Sequence, residues 1–395
     1  MYILICNAGS TSLKFKLFDM PQETVLAEAK VERIGTKGKG IFTYKNTLTD
    51  EKIFKDAADI PTYSEGIEMF LSCLLSFDEK VGALKDITEI ERVGFKTVLA
   101  PGYGIAEIDD DVENKMREFL DVAPAHNGPY LEAINLFKKM LPQAKLVGAF
   151  ETAFHETIPP ERTIYSVPYE WYEKFGLKKM GYHGASHSYV AETVEKAFSS
   201  TLKMISCHLG GSGSICAIEN GKSVDTSFGL SLQTGTCHAN RCGDVDPYIF
   251  PFLEKRGLTR SQILEGLEKN GGLLGISGIS NDMRDLRLAS ESGSERASLA
   301  ISAYETGIIK YIGAFYAELK GLDYLVFTGG IGENDASLRS SVCENLSHLG
   351  IKLSDAPERI TERITKISSY DSKVTVLVIP ANEELGVARK TYLIK

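Results

Sequence analysis

Apolar positions run without a break from Met1 to Cys6, give way to the small-residue turn Asn7-Ala-Gly-Ser-Thr-Ser12, and resume from Leu13 to Phe18. Such a pattern predicts strands over 2–6 and 13–18 joined by a short turn, with a third strand over 25–33. About 200 residues later the pattern returns. Met204 to Cys207 runs into His208-Leu-Gly-Gly-Ser-Gly-Ser214, and a second strand follows from Ile215 to Glu219 before the turn Asn220-Gly221. Tyr324 to Phe327 is a third apolar run and enters Thr328-Gly-Gly-Ile-Gly-Glu-Asn334. Apolar residues three and four apart predict helices over 64–76, about 110–120, 129–140, 246–256, 260–270, 296–319, 335–348 and 382–393. Further strands are predicted near 88–99, 145–150 and 374–379. Strands alternating with helices give an α/β class with mixed sheets covered by helices.

The repetition predicts a duplicated architecture. A first domain spans 1–150 and a second spans 151–381, with the last helix, 382–395, a candidate to return to the first. Each strand-to-glycine turn offers backbone N–H groups to an anion, and glycine lets the backbone come close to a ligand. One such turn is an ordinary hairpin; three, each with a polar residue at the strand end, point to a phosphate-bearing ligand held between the copies.

Composition narrows the partners. At 395 residues there is room for two cores. A net charge of −9 argues against a general nucleic-acid surface. No apolar run reaches the ~18 residues needed to span a bilayer, and no basic leader precedes an apolar region, so neither a membrane nor a secretory route is expected. Seven cysteines without paired spacing suggest reduced thiols and a cytoplasmic location. Cys237 and Cys242 are the closest pair, but a thiolate zinc site would need a second pair nearby.

Ten stretches carry a resemblance. They are Asn7-Ala-Gly-Ser-Thr-Ser-Leu-Lys14, Ala123-Pro-Ala-His-Asn127, Thr152-Ala-Phe-His155, Gly181-Tyr-His-Gly-Ala-Ser-His187 and Cys207-His-Leu-Gly210, followed by Asn220 to Ser227, Arg241 to Pro247, Gly272 to Gly278, Gly329 to Asn334 and Ile379 to Leu385. In this order, from residue 2 to residue 389, the chain resembles the acetate kinases and their propionate and butyrate kinase relatives. The resemblance implies a duplicated actin-like/ribonuclease H-like fold with a nucleotide cleft. It implies reversible transfer of the ATP γ-phosphoryl group to a short-chain carboxylate, with Mg2+ (or Mn2+), and closure of the domains to exclude water. It also implies a homodimer formed through the second domain, for which the apolar stretch Ala303–Leu319 is a candidate element.

By the same resemblance, Arg241 and His183 meet the transferred phosphoryl group, and His126 and His208 are further active-site histidines. A guanidinium suits phosphate and carboxylate because its donors form a planar fork, although a polar-loop arginine is ordinarily a surface residue. Asn7 and Glu383 match magnesium-proximal positions; a carboxylate opening a helix is also favoured by the helix dipole alone. Ser10, Ser12 and Lys14 line the first turn, and Gly210, Gly211 and Gly213 the second. Asp282, Met283 and Arg284 match the nucleoside-contacting run, with Gly330, Ile331 and Asn334 against the adenosine. His183 and His187 lie four apart, but without the glutamate of a zinc helix, and His187 reads as a hydrogen-bonded structural histidine.

Two departures stand out. Where the family has arginine this chain has Lys96, and where it has aspartate this chain has Glu151. One exchange shortens a cation and the other lengthens an anion, so the two could compensate. The acyl-pocket positions fall on Val98, Ala125, Tyr182 and Leu232; Ala125 enlarges the pocket and Tyr182 adds a hydroxyl that wants a partner, which points toward a larger or hydroxylated acid. A chain that binds nucleotide but has lost efficient transfer, serving as regulator or scaffold, is the rival reading.

Overall fold

Ile3 to Cys6 are buried on both faces of β1 (Tyr2–Gly9), which places this strand inside a sheet. The computed structural model describes residues 1–97, 99–121, 124–199 and 203–395, with the backbone alone at 124–126. β1 pairs antiparallel with β2 (Ser12–Asp19), and the ladder continues through β3 (Thr24–Glu32), β4 (Gly40–Asn46) and β5 (Lys52–Ala58). On its other side β1 runs parallel to β6 (Ile90–Phe95), with β7 (Ile105–Glu107) at the far edge beyond β8 (Lys145–Ala149). Aromatic pairs join the covering helices to this sheet. Phe15 stacks on Phe70 of the helix Tyr63–Leu74 at 4.6 Å between ring centroids, and Phe95 meets Phe137 of the helix Pro124–Met140 edge-on at 5.8 Å. The terminal helix, Glu383–Leu393, packs on β1, β6 and β8. Arg92 donates to the carbonyls of Thr391, Tyr392 and Ile394 at its end, where a cation complements the helix dipole. These elements form one compact unit, Met1–Ala153 with Asn382–Lys395.

Phe154–Ala381 forms the other unit and repeats the plan. β9 (Lys203–His208), β10 (Ser214–Glu219) and β11 (Lys222–Thr226) form an antiparallel meander. β9 is parallel to β12 (Tyr324–Thr328), which is parallel to β15 (Thr375–Val378), with β13 (Leu353–Thr361) and β14 (Ile364–Ser368) completing the sheet. In both units the first strand of a meander becomes the inner parallel strand, and the first hairpin turn lies at its carboxyl end, which is the duplication expected from the pattern. The 25-residue helix Glu295–Leu319 buries Ala297, Ala300, Ile301, Tyr304, Ile308, Ile312, Phe315 and Leu319. That three-to-four spacing makes one apolar stripe, and each large aliphatic side chain in it contributes about 1.5–3 kcal/mol of burial.

Several boundaries differ from expectation for local reasons. β5 and β13 are edge strands with mostly exposed residues, and β13 contains Pro357, so neither carries a two-residue alternation that a sequence reading could detect. The helix expected over 129–140 begins at Pro124, so Pro129 lies inside it rather than opening it. Gly329–Asn334 is a short helix and not an open glycine turn. The stripe within Ala303–Leu319 is occupied by the unit's own core.

Candidate active site

In the first unit, β1 and β2 meet in a tight turn with Gly9 opposite Ser12, and Asn7 lies opposite Lys14. Ser10 is exposed at the tip and Lys14 is exposed on β2. The end of β6 delivers Lys96, and the end of β8 delivers Glu151, whose backbone N–H donates to the Thr97 carbonyl. The start of the terminal helix brings Glu383 and Glu384 to the same corner. Lys96 Nζ lies 2.9 Å from Glu151 Oε1 and 2.5 Å from Glu383 Oε2. Burial alone would lower the Lys96 pKa; Glu151 and then Glu383 outweigh it and hold the amine well above the usual lysine value. The lysine–glutamate exchange thus forms a closed ion pair. Asn7 Nδ2 donates to Glu384 Oε1 at 3.0 Å, so of the two adjacent glutamates Glu384 neighbours Asn7 and Glu383 neighbours Lys96. Asn7 Oδ1 is buried and accepts no hydrogen bond from any described residue.

In the second unit, the β9–β10 loop and the β12 helix start are pinned together. Leu209 N–H donates to the Thr328 carbonyl, and the Leu209 carbonyl accepts from Ile331 and Gly332. Gly329 makes this approach possible: it has φ of +79°, and a Cβ there would sit 2.7 Å from the Leu209 oxygen. Gly210 and Gly211 lie in this loop, but the Gly213 N–H donates to His238 Nδ1 at 3.1 Å and is committed within the protein. Gly330 and Asn334 are exposed and Ile331 half-buried; Asn334 Nδ2 donates to the Gly330 carbonyl.

The histidines cluster. His183 opens the helix Gly184–Phe198 with φ of +58°, and its ring lies 4.3 Å from that of His208 and 5.2 Å from Phe228. His187 is fully buried, with both nitrogens bonded to serines: Nδ1 to Ser206 at 3.0 Å and Nε2 to Ser214 at 2.8 Å. It is the structural histidine that the sequence suggested. Burial, then His155 and His208, holds its pKa well below the usual value. Burial likewise pushes His155 down to about 4, and burial with the nearby Arg241 charge pushes His238 down to about 3.

Arg241 sits in a loop whose backbone is clamped. Its carbonyl accepts from the His238 N–H, and Gly272, with φ of +62°, lies so close that a Cβ would come within 2.8 Å of that carbonyl oxygen. The guanidinium is half-buried and makes no hydrogen bond or ion pair with any described residue. Burial lowers its pKa, and the neighbouring Cys242 offsets this only in part.

Other expected residues fall differently. Tyr182 is fully buried, and its hydroxyl donates to the Leu230 carbonyl at 2.6 Å, so it is not waiting for a hydroxylated acid. Leu232 is buried. Met283 lies in the core cluster, which leaves only its backbone for a nucleoside contact. Asp282 caps the helix Met283–Glu291 and pairs with exposed Arg284 at 2.6 Å. Val98 and the side chains of Ala125 and His126 lie outside the described residues. Sequence reasoning missed Ser186, Ser206, Ser214, His238 and Glu384. Their hydrogen-bonding roles carry no periodic signal, although Ser186, Ser214 and Glu384 stand inside stretches already singled out.

The sequence profile of the Acetokinase family matches residues 2–389. Acetate kinase of Dictyoglomus thermophilum is 43% identical over 99% of this chain and 98% of its own length. Acetate kinase of Methanosarcina thermophila is 42% identical over 99% and 96%. Among solved structures, Porphyromonas gingivalis acetate kinase superposes with a TM-score of 0.89 at 37% identity, covering 99% of this chain and 98% of that one. A propionate kinase from Francisella tularensis superposes at 0.90 and 33% identity, covering both chains completely. Two mixed sheets of repeated plan, glycine turns at their strand ends and agreement along the full length therefore lead to one assignment: the chain belongs to the acetokinase family and is a phosphotransferase with a carboxyl group as acceptor.

Proposed function

We propose that this kinase phosphorylates acetate or propionate at the expense of ATP, reversibly, giving the acyl phosphate and ADP. The observation that carries the reading is Arg241, a half-buried guanidinium with no anionic partner among the described residues, on a clamped backbone loop. A cation of this kind is matched by an anionic ligand, and its fork fits a phosphoryl group or a carboxylate. His183 donates a hydrogen bond to the equatorial oxygens of the group in transfer. In the first unit Lys96 is a further cation suited to phosphoryl charge, with Glu151 and Glu383 holding it in place. Phosphoryl transfer asks mainly for such positioning and charge neutralisation, and an ionised acid needs no strong base. The nucleotide uses the glycine loops, with Gly210, Gly211 and the 329–334 segment as its backbone contacts.

The first unit also fits a magnesium ion (or manganese). Asn7 Oδ1 is a hard acceptor with no partner among the described residues, and Glu384 stands beside it. Mg2+ is typically held by one or two protein ligands together with substrate phosphates, and the described residues contain no cluster of three metal-binding side chains. When bound, the ion would neutralise phosphate charge.

The satisfied Tyr182 hydroxyl favours a plain short acid over a hydroxylated one. The closed Lys96–Glu151 pair favours a working enzyme over a scaffold. Free cysteines throughout suit a reducing compartment such as the cytoplasm. Exposed Tyr169, Trp171 and Phe175 in the second unit support a homodimer there, for which light scattering should give twice the chain mass. The central experiment traps acyl phosphate as hydroxamate from C2–C5 and hydroxy acids, with ATP or pyrophosphate as donor. Acetate or propionate with ATP should lead; ATP binding without product from any acid would overturn the reading.

A further inference from the structure

We propose that Ser214, with His187 and Ser206 behind it, is a positioning residue that presets His183 as a neutral imidazole carrying its proton on Nε2. The inference rests on the reading of His183 as a donor to the transferred group.

A serine hydroxyl has one proton. Ser214 Oγ lies 2.9 Å from His183 Nδ1 and 2.8 Å from His187 Nε2. Its two lone pairs could accept from both rings, but Ser214 is fully buried and its proton has no other acceptor among the described residues, so it donates to one ring and accepts from the other. His187 is buried and held neutral, so it carries a single proton, on Nδ1 or on Nε2. The far end of the chain decides which. Ser206 Oγ lies 3.0 Å from His187 Nδ1, Ser206 is fully buried, and its hydroxyl has no other partner among the described residues. If His187 donated from Nδ1, the Ser206 hydroxyl proton would be buried without an acceptor. If Ser206 donates to Nδ1, every proton in the chain is used. His187 then carries its proton on Nε2 and donates to Ser214, Ser214 donates to His183 Nδ1, and the His183 proton stands on Nε2.

His208 is set by the same logic. The Ser186 hydroxyl lies 2.8 Å from His208 Nδ1, is fully buried and has no other described partner, so it donates and leaves the His208 proton on Nε2. Two imidazoles 4.3 Å apart thus each have Nδ1 occupied as acceptor and Nε2 charged with a proton. Protonating His183 at Nδ1 would require Ser214 to reverse and His187 to exchange its proton, stranding the Ser206 hydroxyl. The relay keeps the donor ready and its charge fixed at zero, so that the anionic oxygens meet a hydrogen-bond donor whose protonation need not change during transfer.

The test uses the intact enzyme with 15N-labelled histidine. In the wild type, His183, His187 and His208 should each show a protonated Nε2 and an unprotonated Nδ1; a protonated Nδ1 on His183 overturns the proposal without need of any variant. Ser214→Ala should lower kcat by roughly ten- to a hundredfold, by analogy with the cost of losing the outer hydrogen-bond partner of a metal-bound histidine, with KM for acid and ATP held. Ser214→Thr, which keeps the hydroxyl, should recover most of it. Unchanged kcat in Ser214→Ala also overturns the relay. His183→Ala separates the two levels: if it transfers phosphoryl normally, the donor reading of His183 fails; if it is crippled while Ser214→Ala is not, the relay alone fails.

Discussion

The lysine–glutamate exchange can be tested as a unit. Glu151→Asp draws the carboxylate back by one carbon–carbon bond, about 1.5 Å, so the 2.9 Å contact to Lys96 opens to roughly 4.4 Å. At an effective dielectric of about 20 the attraction falls from roughly 6 to roughly 4 kcal/mol. Because Glu383 still holds Lys96 at 2.5 Å, the protein should stay folded and the loss should appear in turnover. A deficit of about 2 kcal/mol corresponds to roughly thirtyfold in kcat/KM. Lys96→Arg alone places a longer, planar fork against a carboxylate that already reaches too far, and should also lose activity. Together the changes recreate the family's arginine–aspartate pair, so the double variant should exceed both single variants. Coupled spectrophotometric assays of all four proteins on acetate give the cycle, with an expected interaction of about 1–3 kcal/mol. Additivity within about 0.5 kcal/mol would mean that the positions act independently and that the reasoning from the ion pair is wrong.

Arg241→Ala should remove about 99% or more of phosphoryl transfer, a cost of roughly 3 kcal/mol, while ATP affinity changes little; near-normal turnover on the best acid would displace Arg241 from the reaction centre. Tyr182→Phe should cost about 1 kcal/mol in denaturant stability because the Leu230 carbonyl loses its donor, with the order of preferred acids unchanged; a switch of preferred acid would show that the hydroxyl faces substrate. His155, at about 4 when folded and near 6.5 when unfolded, contributes stability that is present above about pH 6.5 and is lost as pH falls toward 4. Between pH 7 and pH 5 that loss is about 2 kcal/mol, and urea titrations of His155→Gln should show a flatter dependence by that amount; an equal pH slope in both proteins would refute the assignment.

The local pattern alone determined the class of fold, the inner strands and the glycine segments after them. Strands buried on both faces must be apolar throughout, as in Ile3 to Cys6, and a long core helix must carry a stripe such as Ile301, Ile308, Ile312 and Phe315. Family likeness, carried by short polar stretches, supplied the chemistry. Edge strands β5 and β13 were illegible because an exposed strand has no buried face to enforce alternation. Three things were left to the tertiary structure. Glu383 and Glu384 are neighbours in sequence, yet the terminal helix sends one to Lys96 and the other to Asn7. The Tyr182 hydroxyl, which read as a feature of the acyl pocket, finds its partner in a loop carbonyl 48 residues away. The serines that set the histidines come from the helix start and from two different strands. Hydrogen-bond partners of this kind are chosen by distance after the chain has folded. Periodicity reports only which face of an element is buried, so it leaves no trace of them.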